Sequence, residues 1–276
     1  ILMFAAMSYG WNIIGGYTGY VSFGNVVFFG IGAYTSGYFA NHGQTNVFVA
    51  IVPAMLIAAL FAVIIGLPVL RLRGHYFGIA TLALALATAE IIANADALGG
   101  GTGLAVRQAT NFSIYYYAMW LVCVCAFTAT YLLAHSKIGY AFVAIRENED
   151  AAAILGINAA RYKIAAWAIS AAMAAAAGSV FAFSNGFVDP QTVFSVDENV
   201  FPIAMTLLGG IGTVAGPFAG ALVMTGINET LWTHFPQIHT IFFGAMIVLI
   251  VLFLPRGLMH VRSARSFLEN LRTYRV

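Results

Sequence analysis

The sequence predicts an all-α fold: a polytopic transmembrane helical bundle of about eight to nine membrane segments, including short or broken helices, in a single domain over residues 1–276. Three observations carry this. Apolar residues make up 61% of the chain and charged residues 8%, where a soluble domain carries about 25% charged residues. The first formal charge is Arg71, so 70 residues pass without one; no water-facing surface is built that way. The apolar runs are continuous, as in 47–70 and 238–254, whereas a membrane β-barrel alternates apolar and polar residues in segments of about ten. The same composition excludes a disordered chain and a disulfide scaffold. A net charge of +2 gives no basis for a nucleic-acid partner.

A bilayer core of about 30 Å takes about 20 helical residues to cross. In chain order the apolar segments are 1–16, 25–40, 47–70, 75–94, 113–134, 164–185, 200–212, 216–233 and 240–254. The first two and 200–212 are shorter than a crossing, so each either extends further or is a half-helix. No cleavable leader is visible, and Ile1 already lies in an apolar run, so the true N-terminus is expected upstream. Tyr115, Tyr116, Tyr117 and Trp120 at a span start match an interfacial belt. Cys123 and Cys125 sit inside an apolar run and read as packing residues.

Orientation follows from the basic residues. Arg71 and Arg73 share one turn, Lys137, Arg146, Arg161 and Lys163 another, and Arg256, Arg262, Arg265, Arg272 and Arg275 the tail 255–276. These are placed in the cytoplasm, with the C-terminus. The stretch 186–199 holds Asp189, Asp197 and Glu198 without Lys or Arg and is placed outside.

The connection 136–163 carries the densest charge run. Arg146, Glu147, Glu149 and Asp150 precede Ala151 and Ala152, and Gly156 follows. Acids at the start suit a helix dipole, alanine propagates the helix, and glycine ends it. Alone, this short helix reads equally as a solvated loop or as a docking element. Two glycine-rich stretches, 15–24 and 209–217, interrupt apolar segments in the two halves of the chain. Broken membrane segments point to a transport path, while small residues also serve close helix packing. The path candidates are Tyr17, Tyr20, Ser22, Asn25, Phe28, Gly209, Gly210 and Thr213. Glu90 and Glu229 fall within about one turn of the outer ends of their segments. They either reach the headgroups or form an acidic outer mouth that favours a solute ammonium. The six histidines lie in or beside turns with no metal-binding pair, and there is no P-loop. No catalytic residue, metal site or cofactor of the chain's own is expected.

Several stretches, in order along nearly the whole chain, resemble one family: Gly16-Tyr17-Thr18-Gly19-x-x-Ser22-Phe23-Gly24 with Phe28-Phe29-Gly30-Ile31-Gly32; Leu70-Arg71-Leu72-Arg73-Gly74-x-Tyr76-Phe77; Ile145-Arg146-Glu147-Asn148-Glu149-Asp150-Ala151-Ala152; Leu208-Gly209-Gly210-Ile211-Gly212-Thr213-Val214-x-Gly216-Pro217; and Leu254-Pro255-Arg256-Gly257-Leu258. They are similar to the LivM-type permease subunit of ABC importers for branched-chain amino acids and related small polar solutes. The resemblance implies that 147–156 is a coupling helix. It also implies a bacterial inner-membrane complex with a homologous LivH-like permease, two cytoplasmic ATPase subunits that bind ATP and Mg, and a periplasmic solute-binding protein. Membrane lipid surrounds such a subunit. Tyr20, Asn25 and His75 stand where many relatives have Gln, His and Asp, so urea, short amides or aromatic acids stay open as solutes. An ion-coupled secondary transporter is the competing class; it calls for charged ion sites near the midplane, and no charged residue is placed there.

Overall fold

In lipid, apolar side chains gain nothing by hiding from the solvent, so helices associate through close backbone approach at small residues. The chain is built on that rule. In the computed structural model, which describes residues 1–43, 46–108, 112–234, 244–245, 248 and 257–259, helix α3 (Val47–Val69) buries Ala50, Ala54, Ala58, Ala62 and Gly66. Its opposite face exposes Val52, Leu56, Leu60, Ile64 and Leu67. The small residues recur every four positions, one face of a helix, and the large ones face lipid.

The small stripe packs on α8 (Ala159–Asn185), the most deeply buried span and the centre of the bundle. Alanine makes α8 thin: Ala171, Ala174, Ala175 and Ala177 are fully buried. Helix α2 (Asn25–Gly43) lies on a second side of it, with Ser36 Oγ donating to Ser179 Oγ at 2.7 Å. A Cβ on Gly178 would collide with the Phe29 carbonyl, and one on Gly32 with the Ala175 backbone. Trp167 of α8 is buried between Phe28 and Phe77, with ring centroids 5.7 Å away in both cases.

The remaining elements surround this centre. Helix α1 (Leu2–Trp11) runs into a π-helical turn over Asn12–Tyr17; α4 is His75–Ala93 and α5 Ser113–Ala134. After α8 come α9 (Pro190–Val193), α10 (Val196–Gly209) and α11 (Gly216–His234). A two-residue clip pairs β1 (Leu104–Ala105) with β2 (Phe187–Val188), antiparallel, at one end of the bundle. The other end, the basic end, gathers Arg73, Arg146 and Lys163.

The fold is all-α as expected, and four described helices, α3, α4, α5 and α8, are long and apolar enough to cross a bilayer. The fuller count of eight to nine is not reached on that criterion. Helix α1 has 10 residues before its π turn, and α10 has 14, about 21 Å, less than a crossing. Segment 240–254 and the tail 255–276, with Arg256 and the other tail arginines, fall largely or wholly outside the described residues. The connection 136–163 is no loop. It holds α6 (Lys137–Glu147) and α7 (Glu149–Ile154), and α8 begins at Ala159, before position 164. Helix α6 forms because Ser136 caps it, accepting from the Gly139 N–H at 3.2 Å, and because Ala141, Phe142 and Ile145 share a buried face.

Gly178→Val should cost about 1–3 kcal/mol through overpacking. It would be read as a lower melting temperature in detergent, with Leu56→Val on the lipid face as an unchanged control.

Candidate functional site

Lys163 of α8 is only 4% exposed. A buried ammonium is tolerated only when paired and hydrogen-bonded, and this one is. It donates to Glu149 Oε1 at 2.8 Å, to the Tyr20 hydroxyl at 2.9 Å and to the Leu70 carbonyl at 3.2 Å. It also lies 4.6 Å from the centroid of the Tyr20 ring. The Tyr20 hydroxyl in turn donates to Glu149 Oε2 at 2.6 Å, so both carboxylate oxygens are engaged. One cluster therefore fastens four pieces of chain together: the loop 18–24, the end of α3, α7 and α8.

The charges tune one another. Burial works against ionising Glu149, but hydrogen bonds from Lys163 and Tyr20 and the positive field of Lys163 and Arg73 outweigh it and hold its carboxyl below the ordinary range. Burial raises the Tyr20 phenol, and its bond to the Glu149 carboxylate raises it further. Arg73 completes the rim, 3.8 Å from Glu149 and 3.4 Å from Asp150.

Helix α7 is cut out of the chain by Asn148, whose extended backbone ends α6 and whose Oδ1 accepts from the Asp150 and Ala151 N–H groups at 3.0 Å. Arg146 and Glu147 thus belong to the last turn of α6, while Glu149, Asp150, Ala151 and Ala152 form α7. Gly156 follows it at φ +83°. Ala152 is the buried foot of α7; Ile154 and Leu155 project at 88% and 78% exposure.

A second set of bonds joins the glycine-rich stretches. Arg146 donates to the Gly16 carbonyl at 3.1 Å and pairs with Glu147 at 2.9 Å. The Asn12 amide donates to the Thr213 carbonyl at 2.9 Å and accepts from the Gly212 N–H at 2.8 Å, so one side chain bridges positions about 200 residues apart. Thr213 Oγ1 donates to the Gly210 carbonyl and accepts from the Gly216 N–H at the start of α11. Gly209–Thr213 is thus a tight turn from α10 to α11, with Gly210 at φ +128°.

Of the path candidates, Tyr20 lies in the charge cluster. Tyr17 is buried. Ser22 accepts from the Gly24 N–H, and its carbonyl takes the Trp11 indole N–H at 2.8 Å. Asn25 donates to the Met7 carbonyl and accepts from Ser170; Phe28 packs on Trp167. Gly209, Gly210 and Thr213 form the α10–α11 turn. Glu90 and Glu229 are exposed near the ends of α4 and α11, and the structure does not bring them together with the cluster. Reading the sequence missed Lys163 and Asn12 as site residues. For Asn12 the available signal was a single amide inside an apolar run; Lys163, which closes the polar stretch Arg161-Tyr162-Lys163 at the start of α8, carried no such mark.

The family described as branched-chain amino acid transport system / permease component matches residues 1–251. Among similar proteins is the high-affinity branched-chain amino acid transport system permease protein LivM of Escherichia coli (strain K12). It is 28% identical over 302 residues, covering 98% of this chain and 70% of that protein. The permease protein LivH of the same organism is 32% identical over 161 residues, 56% of this chain and 51% of its own. The autoinducer 2 import system permease protein LsrC of Photorhabdus laumondii is 34% identical over 116 residues, 41% and 35% of the two chains. No solved structure matches.

Lys163→Met leaves Glu149 half-buried without its main partner and should destabilise by about 2–3 kcal/mol, below the cost of breaking a fully buried pair. Adding Glu149→Gln should recover part of this, read as a coupling energy in a double-mutant cycle. The lowered Glu149 pKa sets the sign of the pH effect. Its contribution is present above its unfolded value of about 4.3 and fades as pH falls through the lower folded value. The stability gap between the parent and Glu149→Gln should therefore begin to narrow as pH falls below about 4.3 and vanish only below the lower folded value. Melting curves across pH check it.

Proposed function

This chain belongs to the branched-chain amino acid transport system permease family, and on that premise we propose that it is the membrane-spanning subunit of an ABC importer. It forms half of the translocation pathway for branched-chain amino acids or a related small solute. The other half comes from a LivH-like permease. Two cytoplasmic ATPase subunits bind ATP and Mg, and a periplasmic solute-binding protein delivers the solute. The complex sits in a bacterial inner membrane, with the basic end and the tail 255–276 in the cytoplasm. Helices α1, α2, α10 and α11 and segment 240–254 complete the eight to nine membrane segments.

The observation that carries this reading is the charge cluster between α7 and the loop 18–24. Helix α7 is short, rooted by Ala152, and presents Ile154 and Leu155 outward, as suits a helix seated in a groove of a partner. A push on α7 cannot be absorbed locally, because Glu149 is bonded to Lys163 and to Tyr20. The displacement passes to the loop 18–24, and through Arg146 and Gly16 to the π turn. Asn12 carries it to the α10–α11 turn. Gly19, Gly210 and Gly212 have positive φ, so these turns bend where other residues would resist. Tyr20, Ser22, Asn25 and the 209–213 turn are in this reading the parts that open and close the path, and Glu90 and Glu229 lie at its outer mouth. The chain itself performs no chemistry.

The assembled transporter, reconstituted in liposomes, should take up leucine only with ATP. Ile154→Asp with Leu155→Asp should release the ATPase subunits on purification and lower uptake at least about tenfold, the effect of losing about 1.4 kcal/mol or more of docking energy. The melting temperature of this subunit should not change, since both side chains are exposed. Uptake driven by an ion gradient without ATP would replace this reading with a secondary transporter.

A further inference from the structure

Beside the charge cluster, at the basic end, lies a cavity of about 790 Å³ bounded by the loop 18–24, the first turns of α4, the end of α6 and the start of α7. We propose that this cavity is a binding site for a zwitterionic α-amino acid with an aliphatic side chain, held between Arg73 and Asp150 with its side chain on Ile79 and Leu82, at the inner exit of the subunit. The inference rests on the importer reading and adds to it a place of contact and the residues that make it.

Size, charge and surface agree. The volume falls within the range of small-molecule sites, about 300–1,000 Å³. Its walls carry two guanidinium groups, Arg73 and Arg146, and two carboxylates, Glu149 and Asp150. The formal charges cancel, which favours a solute that is itself neutral overall but carries both poles. A lone anion or cation would meet one matching group and one opposing group.

The four groups are not equally free. Glu149 spends both oxygens on Lys163 and Tyr20, and Arg146 is committed to Gly16 and Glu147. Arg73 and Asp150 are different: their side chains are 63% and 80% exposed, and they meet only at 3.4–3.5 Å. A guanidinium has five N–H donors and a carboxylate about four acceptor positions. Both therefore have capacity left for a solute carboxylate and ammonium. Ile79 and Leu82, one turn apart on the same face of α4, line the cavity and are exposed. They supply the apolar surface that an aliphatic side chain would cover.

The test uses the assembled transporter in inside-out vesicles, with Cys123→Ala and Cys125→Ala and a single new cysteine, Ile79→Cys or Leu82→Cys. Reaction with a membrane-impermeant maleimide is timed. L-leucine should slow it roughly tenfold at about ten times its Kd. Leucinamide, which lacks the carboxylate, and 4-methylpentanoate, which lacks the ammonium, should leave the rate unchanged. Arg73→Gln or Asp150→Asn should abolish protection by leucine. Tyr76→Cys, outside the cavity lining, should react at one rate with or without leucine. If parent vesicles carry leucine with ATP and neither cysteine is protected, the site is wrong and the importer reading stands. Protection by the ATPase subunits alone, equal with and without leucine, assigns the cavity to that partner and overturns the site. If the parent shows no ATP-dependent leucine uptake, the importer reading fails for this solute, and the site falls with it.

Discussion

A single ammonium group, on Lys163, sets the arrangement of the basic end. It lies in the bundle centre helix, where leaving it unpaired would cost several kcal/mol. Its bonds reach three other pieces of chain, so those pieces cannot be placed independently. The end of α3 must offer a carbonyl, the loop 18–24 must bring in Tyr20, and α7 must fold back far enough to present Glu149. Replacing the cluster with apolar residues of similar volume need not destabilise a protein. What the polar version adds is registry: a fixed placement of the short helix against the loop.

The body that this cluster rests on is held by a different force. Between helices in lipid there is little hydrophobic drive, and the contacts come from dispersion at close range. Alanine and glycine on α3, α2 and α8 allow that approach, and Leu and Ile point to the outside. A stiff centre next to a jointed rim follows. The joints are the π turn at Asn12–Tyr17, the loop 18–24 and the α10–α11 turn, each at a glycine or a helix break. Freed backbone groups at these breaks are taken up by Asn12, Thr213, Trp11 and Arg146 rather than by lipid, as a membrane requires.

In the proposed importer, stiffness and jointing together would make this chain a transmitter rather than a motor. On that proposal its input and output both lie at the basic end: α7 with its two exposed apolar residues, and the cavity lined by α4 and the loop 18–24. The same carboxylate, Glu149, forms part of both, bonded to the loop on one side and lining the cavity on the other. On the same proposal, movement of α7 would be coupled to the shape of the cavity through one residue.

The amino-acid sequence by itself determined the class of solvent, the all-α fold, the position of most helices and the existence of the short acidic helix. These follow from local quantities: hydropathy, charge spacing, capping residues and glycine. Even there, Asn148 rather than Glu147 marks the start of α7, because a side chain that bonds N–H groups two and three residues on sets a cap more sharply than charge does. Helix α6 went unread because its apolar face is short and its ends are charged. Only the tertiary structure decided that Tyr20, Lys163 and Glu149 meet, that Asn12 clasps a turn about 200 residues away, and that Arg73 and Asp150 face a cavity. Such contacts depend on how helices of similar composition cross and rotate against one another, and local pattern carries no record of that choice.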